Sequence, residues 1–158
     1  MARRDIRIME NKNDALGGRG RDRPSGKIAF MFPAKLNLEG ARSPALNFTV
    51  RDDGIITMSI GISFLELRPG MPYFVNLKMA NPNNEEVEIS SSMDAIPGDQ
   101  IDPYRRSSFL TASYYFLPTM NGSHRFTCEL LDVLGSSHAI DTMSVYFNVL
   151  GCGGAGAS

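Results

Sequence analysis

The chain has 158 residues, of which 42% are hydrophobic and 21% charged, a balance that suits one globular domain and excludes a disordered polyelectrolyte. Its formal net charge is −1, so the molecule as a whole is no electrostatic magnet for nucleic acid or anionic lipid. Two cysteines, two histidines and no tryptophan leave little material for a disulfide framework or a histidine-built metal site.

The charge is unevenly placed. Residues 1–26 carry Arg3, Arg4, Arg7, Lys12, Arg19, Arg21 and Arg23 against four acids and stand at +3, while the remainder stands at −4. Within that segment "ALGGRGRDRPSG" (15–26) holds four glycines, a proline and few apolar side chains, too little to offset its ordering entropy. Residues 1–26 are therefore expected to be a flexible basic arm, and "GCGGAGAS" (151–158) a flexible tail, around a body over 27–150. No apolar stretch follows the N-terminal arginines as in a secretion signal, and no run approaches the ~18 apolar residues of a membrane helix. A reducing compartment is expected, cytoplasmic or inside a virion, with no membrane partner.

In chain order the body reads as strands. "KIAFMF" (27–32) comes first, then "LNFTV" with Leu46, Phe48 and Val50 on one side. The clearest signal is "IITMSIGISFLEL", where Ile56, Met58, Ile60, Ile62 and Phe64 alternate with Thr57, Ser59, Gly61 and Ser63. Asp53-Gly54 lies between these two runs and predicts a tight hairpin. "YFVNLKM" sets Tyr73, Val75, Leu77 and Met79 inward, and the polar "EVEIS" reads as an edge. "SFLTASYYFL" (108–117) is apolar on both sides, which leaves its inward face open between two readings, a covered interior strand or a face that meets another chain. "DTMSVYFNV" sets Met143, Val145, Phe147 and Val149 inward. The separators "RPGMP", "NPNN", "IPGD", "MNG" and "LGSS" are turn chemistry, and no segment sustains a 3.6-residue apolar period. The expected fold is all-β: an antiparallel β-sandwich of about eight strands, immunoglobulin-like or jelly-roll-like.

Residues 123–131 and 140–149 permit a register. If they pair, inward side chains must oppose inward ones, which sets Cys128 opposite Met143, Phe126 opposite Val145 and His124 opposite Phe147, with Arg125 facing Tyr146 and Thr127 facing Ser144 outside. A slip by one residue would expose Phe147 and Val145, each worth ~1.5–3 kcal/mol buried. Phe126-Thr127-Cys128 after Gly122 resembles the late strand of an immunoglobulin-like domain, where an aromatic precedes a cysteine by two. That resemblance implies a sandwich, but there is no second body cysteine, no tryptophan and no tyrosine hydroxyl at Phe126, so the pin of antibody domains is missing. Cys128 is expected to pack as a small apolar residue.

The chemistry-bearing residues do not converge. Cys128 stands four residues from His124 on one strand, ~13 Å at ~3.3 Å per residue, beyond proton transfer. His138, Ser136 and Ser137 share a loop without the glycine-flanked turn of a nucleophile elbow. Asp94, Asp99 and Asp102 lack calcium-loop spacing and read as solvated turn residues. No catalytic, cofactor-binding or metal-binding residue is assigned, and no enzyme or cofactor is expected. The candidate contact residues are Arg3, Arg4, Arg7, Arg19, Arg21 and Arg23 of the arm, with Tyr104, Arg105, Arg106, Tyr114 and Tyr115, since tyrosine and arginine combine contact area with polar reach. The expected role is a non-enzymatic structural or protein-interaction sandwich in a larger assembly, partnered by other subunits and homo-oligomeric or part of something larger. The layout is similar to that of small virion proteins joining a sandwich to an N-terminal arm, which implies a phage or virus structural or accessory subunit. Nucleic acid bound by the arm is the weaker alternative, because acids dilute it and no aromatics interleave for stacking. A module binding sugar or peptide through its end loops is the alternative function, with Tyr104 as its platform.

Overall fold

The computed structural model describes residues 25–36, 42–91, 93–133 and 138–153. Among the described residues ten strands form: β1 (Lys27–Leu36), β2 (Arg42–Pro44), β3 (Asn47–Thr49), β4 (Ile56–Leu65), β5 (Tyr73–Ala80), β6 (Glu86–Val87), β7 (Met93–Ile96), β8 (Ser108–Phe116), β9 (Gly122–Leu131) and β10 (Asp141–Leu150). They build two sheets. Sheet A runs β2-β1-β4-β8, and sheet B runs β3-β10-β9-β5, with β6 and β7 sharing the far flank of β5. The protein is a β-sandwich.

The period-two pattern explains why the layers stack. Ile56, Met58, Ile60, Ile62 and Phe64 of β4 are all buried on the inner face of sheet A. From sheet B they meet Tyr73, Val75, Leu77 and Met79 of β5, Phe126, Cys128 and Leu130 of β9, and Phe147 and Val149 of β10. Removing each large side chain from water stabilises by about 1.5–3 kcal/mol, so alternation forces both sheets to share one core.

The register of β9 against β10 is the one the inward pattern requires: Cys128 opposite Met143, Phe126 opposite Val145, His124 opposite Phe147, Arg125 opposite Tyr146 and Thr127 opposite Ser144. "EVEIS" is indeed marginal, contributing only Glu86–Val87 at the flank of β5.

Two expectations are corrected. Asp53-Gly54 does turn the chain, with Gly54 at φ +81° and its N–H donating to the Arg51 carbonyl at 2.9 Å. It makes no hairpin, because β3 pairs with β10 in sheet B whereas β4 pairs with β1 and β8 in sheet A. Phe48 and Ile56 both need the core, and residues 50–55 are long enough to cross the ~10 Å between layers, so the core is served from both sides. Second, the sandwich is not wholly antiparallel, since β3 runs parallel to β10 with Phe48 beside Val149. At the end of the described chain the Cys152 N–H donates to Asn121 Oδ1 at 2.6 Å and its thiol to the Pro118 carbonyl at 3.2 Å. Strands β2 and β7 carry too few residues for any period and were not foreseen.

A bulge decides the faces of β1. Its register against β4 shifts between Ile28 and Phe30, so Ile28 and Met31 both reach the core while Phe30 turns outward.

Candidate interaction face

The outer face of sheet A is built by three strands. At the centre of that face β4 contributes only small groups: Ser59, Gly61 and Ser63. Opposite them stand Phe32 and Phe30 of β1 and Ser113, Thr111 and Phe109 of β8. The aromatic rings fold over the space that the small residues leave. Phe30 and Phe32 stack with centroids 6.4 Å apart and planes at 16°, and Phe32 and Phe109 stack at 6.1 Å and 23°. A row of three nearly parallel rings thus crosses β4 from one neighbour to the other. Phe30 is 52% and Phe109 49% exposed, so the row presents apolar area to solvent. Tyr115 continues the face beside Thr57, and Leu65 lies beyond Ser63. No carboxylate points outward from the paired residues of this face, and Lys27 at its rim is the only charge among them.

β8 is the edge of sheet A rather than an interior strand. Its two-sided apolar pattern resolves as Leu110, Tyr114 and Phe116 inward and Phe109, Thr111, Ser113 and Tyr115 outward. Tyr114 is thereby moved from the expected contact surface into the core, 3% exposed and packed on Phe126; burial pushes its phenol well above the usual range. Tyr115 does reach solvent.

The 102–106 loop holds the other described candidates. Asp102 Oδ1 accepts the N–H groups of Tyr104 and Arg105, both at 2.9 Å, and Oδ2 pairs with the Arg105 guanidinium at 3.1 Å. These donors hold its carboxyl below the ordinary carboxylate range, so this acid serves turn geometry. Tyr104 projects almost fully into solvent. Arg106 is a staple: its guanidinium donates to the carbonyls of Leu67 (2.8 Å) and Glu66 (3.2 Å) and to Ser25 Oγ (3.3 Å). Tyr73 works beside it, its hydroxyl donating to the Ser25 carbonyl at 2.6 Å and accepting the Arg68 N–H at 2.9 Å. Arg106 and Tyr73 together pin the chain at its entry into β1. Arg3, Arg4, Arg7, Arg19, Arg21 and Arg23 lie outside the described residues.

His124 is fully buried, Nδ1 3.0 Å from the Gly122 carbonyl and its ring stacked on Phe147 with Phe116 alongside. Loss of water lowers its pKa and keeps it neutral. Cys128 lies in the core, where burial pushes the thiol up to about 12. Among the described residues no three His, Cys, Asp or Glu side chains cluster as a metal would need. Sheet B carries a shallow open depression between Lys78, Asn84, Glu86, Arg125 and Thr127, in which Lys78 pairs with Glu129 at 2.7 Å and Arg125 donates to Asn84 at 2.6 Å. Among the described residues no helix is long and apolar enough to cross a membrane.

No family model matches this chain, and no curated protein matches it. Solved structures do. The fold is similar to part of a glycosyl hydrolase family 2 member from Bacteroides cellulosilyticus, with TM-score 0.51, 8% identity and coverage of 78% of this chain and 15% of that one. It is similar also to a bacterial adhesin from Mobiluncus mulieris containing intramolecular disulfide, isopeptide and ester cross-links, with TM-score 0.51, 7% identity and coverage of 78% and 57%. The chain thus spans a fraction of each, and at these identities the likeness shows the β-sandwich and nothing of the chemistry.

The aromatic row is what sequence reasoning missed. Its signal was present in Ser59, Gly61 and Ser63, three small residues on one face of a long strand, which leave room for large rings from the flanking strands. Phe30 and Phe32 could not be assigned to that face, because the bulge in β1 is invisible to a period-two count.

Proposed function

We propose that this β-sandwich is a non-catalytic protein-interaction module, a subunit of a larger assembly whose contact surface is the outer face of sheet A. The observation that carries the reading is the half-exposed Phe30–Phe32–Phe109 row on a face with no outward carboxylate. Contiguous exposed aromatic area is costly to leave in water and is what protein interfaces bury at their centre. A structural or accessory subunit of a phage or virus particle is one setting that joins such a face to a basic arm, with the arm supplying a second contact on a neighbouring subunit. The module works without a cofactor, in a cytoplasmic or virion setting.

Sedimentation velocity of the full chain over a wide concentration range tests this. Mass-action growth beyond a monomer that is lost in a Phe30→Ser/Phe109→Ser variant supports the assembly reading. A monomer throughout counts against self-assembly.

A second reading draws on the same rings. Planes within 16° and 23° of parallel make a flat platform of the kind that could take the apolar face of a sugar, on the sheet face rather than on the end loops. A rise in melting temperature with an oligosaccharide, abolished by Phe32→Ser in a chain that stays monomeric, would favour it.

A further inference from the structure

Among the described residues β8 has no strand on one flank, and its composition does nothing to discourage a partner. "SFLTASYYF" has no charge, no proline and no glycine over nine residues, whereas edge strands are ordinarily protected by such features.

Which backbone groups are free follows from the pairing. Tyr115 directs both its N–H and its carbonyl away from β4, to Ser90 Oγ (3.1 Å) and from the Ser90 N–H (3.1 Å). Opposite Thr57 it is therefore in a non-hydrogen-bonded pair of the antiparallel ladder. Alternation then sends the N–H and carbonyl of Ser113, Thr111 and Phe109 to the same outer flank. Among the described residues no backbone partner meets those three there. Ser90 closes the edge at Tyr115 and, among the described residues, the stretch centred on Thr111 is open.

We propose that this open stretch pairs antiparallel with the same stretch of a second copy of the chain, continuing sheet A across a two-fold axis at Thr111. The proposal rests on the assembly reading and names its partner and mode. The register follows from the free groups: Thr111 meets the partner's Thr111, and Phe109 meets the partner's Ser113, each as a hydrogen-bonded pair. That register also matches sizes. On the outer face the large Phe109 lies opposite the small partner's Ser113, and on the inner face Leu110 lies opposite the partner's Ala112. No like charges meet, because the strand carries none. A two-fold contact uses one patch on both copies, as closed dimers require. It also brings the two aromatic rows, each ending at Phe109, onto one continuous eight-stranded face.

Amide hydrogen exchange of the full chain at low and high protein concentration reads the pairing directly. Exchange at Phe109, Thr111 and Ser113 is expected to slow about tenfold or more as concentration rises. A cross-link test reads the axis. Residues opposite each other in a hydrogen-bonded pair have Cα atoms about 5.5 Å apart, inside the disulfide range. In a Cys152→Ser background, Thr111→Cys should oxidise to a covalent dimer, whereas Thr57→Cys, on the same face but one strand further from the axis, should not. Melting temperature checks that each variant folds. Self-association without protection of the three amides, or with Thr57→Cys cross-linking as readily, overturns the edge pairing and leaves the assembly reading standing. A monomer at every concentration overturns both.

Discussion

The Phe32 ring occupies the space a side chain at Gly61 would need: a β-carbon there would lie 2.5 Å from Phe32 Cζ and 3.0 Å from Phe109 Cζ. The absent side chain is what lets three rings lie flat across β4. Gly61→Ala should therefore act on the surface more than on the core. The Phe32 ring is half-buried and can swing outward, so the cost to stability is expected to be about 1 kcal/mol, at the low end for overpacking. The loss should appear instead in sedimentation, as weaker self-association at equal folded fraction. A melting temperature lowered as far as by a deep-core truncation, with association intact, would contradict this.

Tyr73 anchors the root of β1. Its buried hydroxyl joins the Ser25 carbonyl to the Arg68 N–H. Tyr73→Phe keeps the ring and strands both groups, so chemical denaturation should show a loss of about 1–3 kcal/mol. Arg106→Lys, which keeps the charge but not the forked donors to Leu67 and Glu66, should lose less because that side chain is exposed.

Acid should weaken the fold in two stages. The His124 pKa is lowered by burial from 6.5, so below about 6.5 the unfolded chain takes up a proton that the folded chain refuses. The unfolded state then binds more protons, and stability falls as pH drops through that window until the folded-state value is reached. Glu129 adds a second loss at lower pH. Its carboxyl is held below 4.5 by Lys78, with Asn76 assisting, so its contribution is present above about 4.5 and disappears as pH falls through the folded value. Calorimetry across this range should show both, and His124→Phe, set between Phe116 and Phe147, should flatten the first while leaving the second.

The two thiols should differ in reactivity. Cys128 is buried and shifted up to about 12, whereas Cys152 is partly accessible. A thiol reagent at neutral pH should modify Cys152 in the native chain and reach Cys128 only on unfolding. Native modification of both would mean that the core between β5 and β9 opens readily.

The sheet pattern was legible because alternation in β4, β5, β9 and β10 is a local property, and for β9 against β10 the inward residues left one register that turns Phe147 and Val145 toward the core. Less of the candidate contact surface was legible. Tyr104, Tyr114 and Tyr115 were all candidates, and the structure leaves Tyr104 and Tyr115 in solvent and turns Tyr114 inward, since a strand apolar on both sides gives no clue to its inward face until a second sheet covers one. Phe30 and Phe32 were missed because one bulged residue changes the parity of β1.

By itself the sequence determined extended structure, the inward residues of the long strands and the separation of His124 from Cys128 along one of them, all consequences of the two-residue repeat acting over a few neighbours. The tertiary structure decided that Asp53-Gly54 crosses between layers, that β3 runs parallel to β10 and that β8 stands at an edge beside a row of rings. Those outcomes depend on which of several apolar faces wins a place in the shared core, a competition among residues far apart in the chain that no local pattern records.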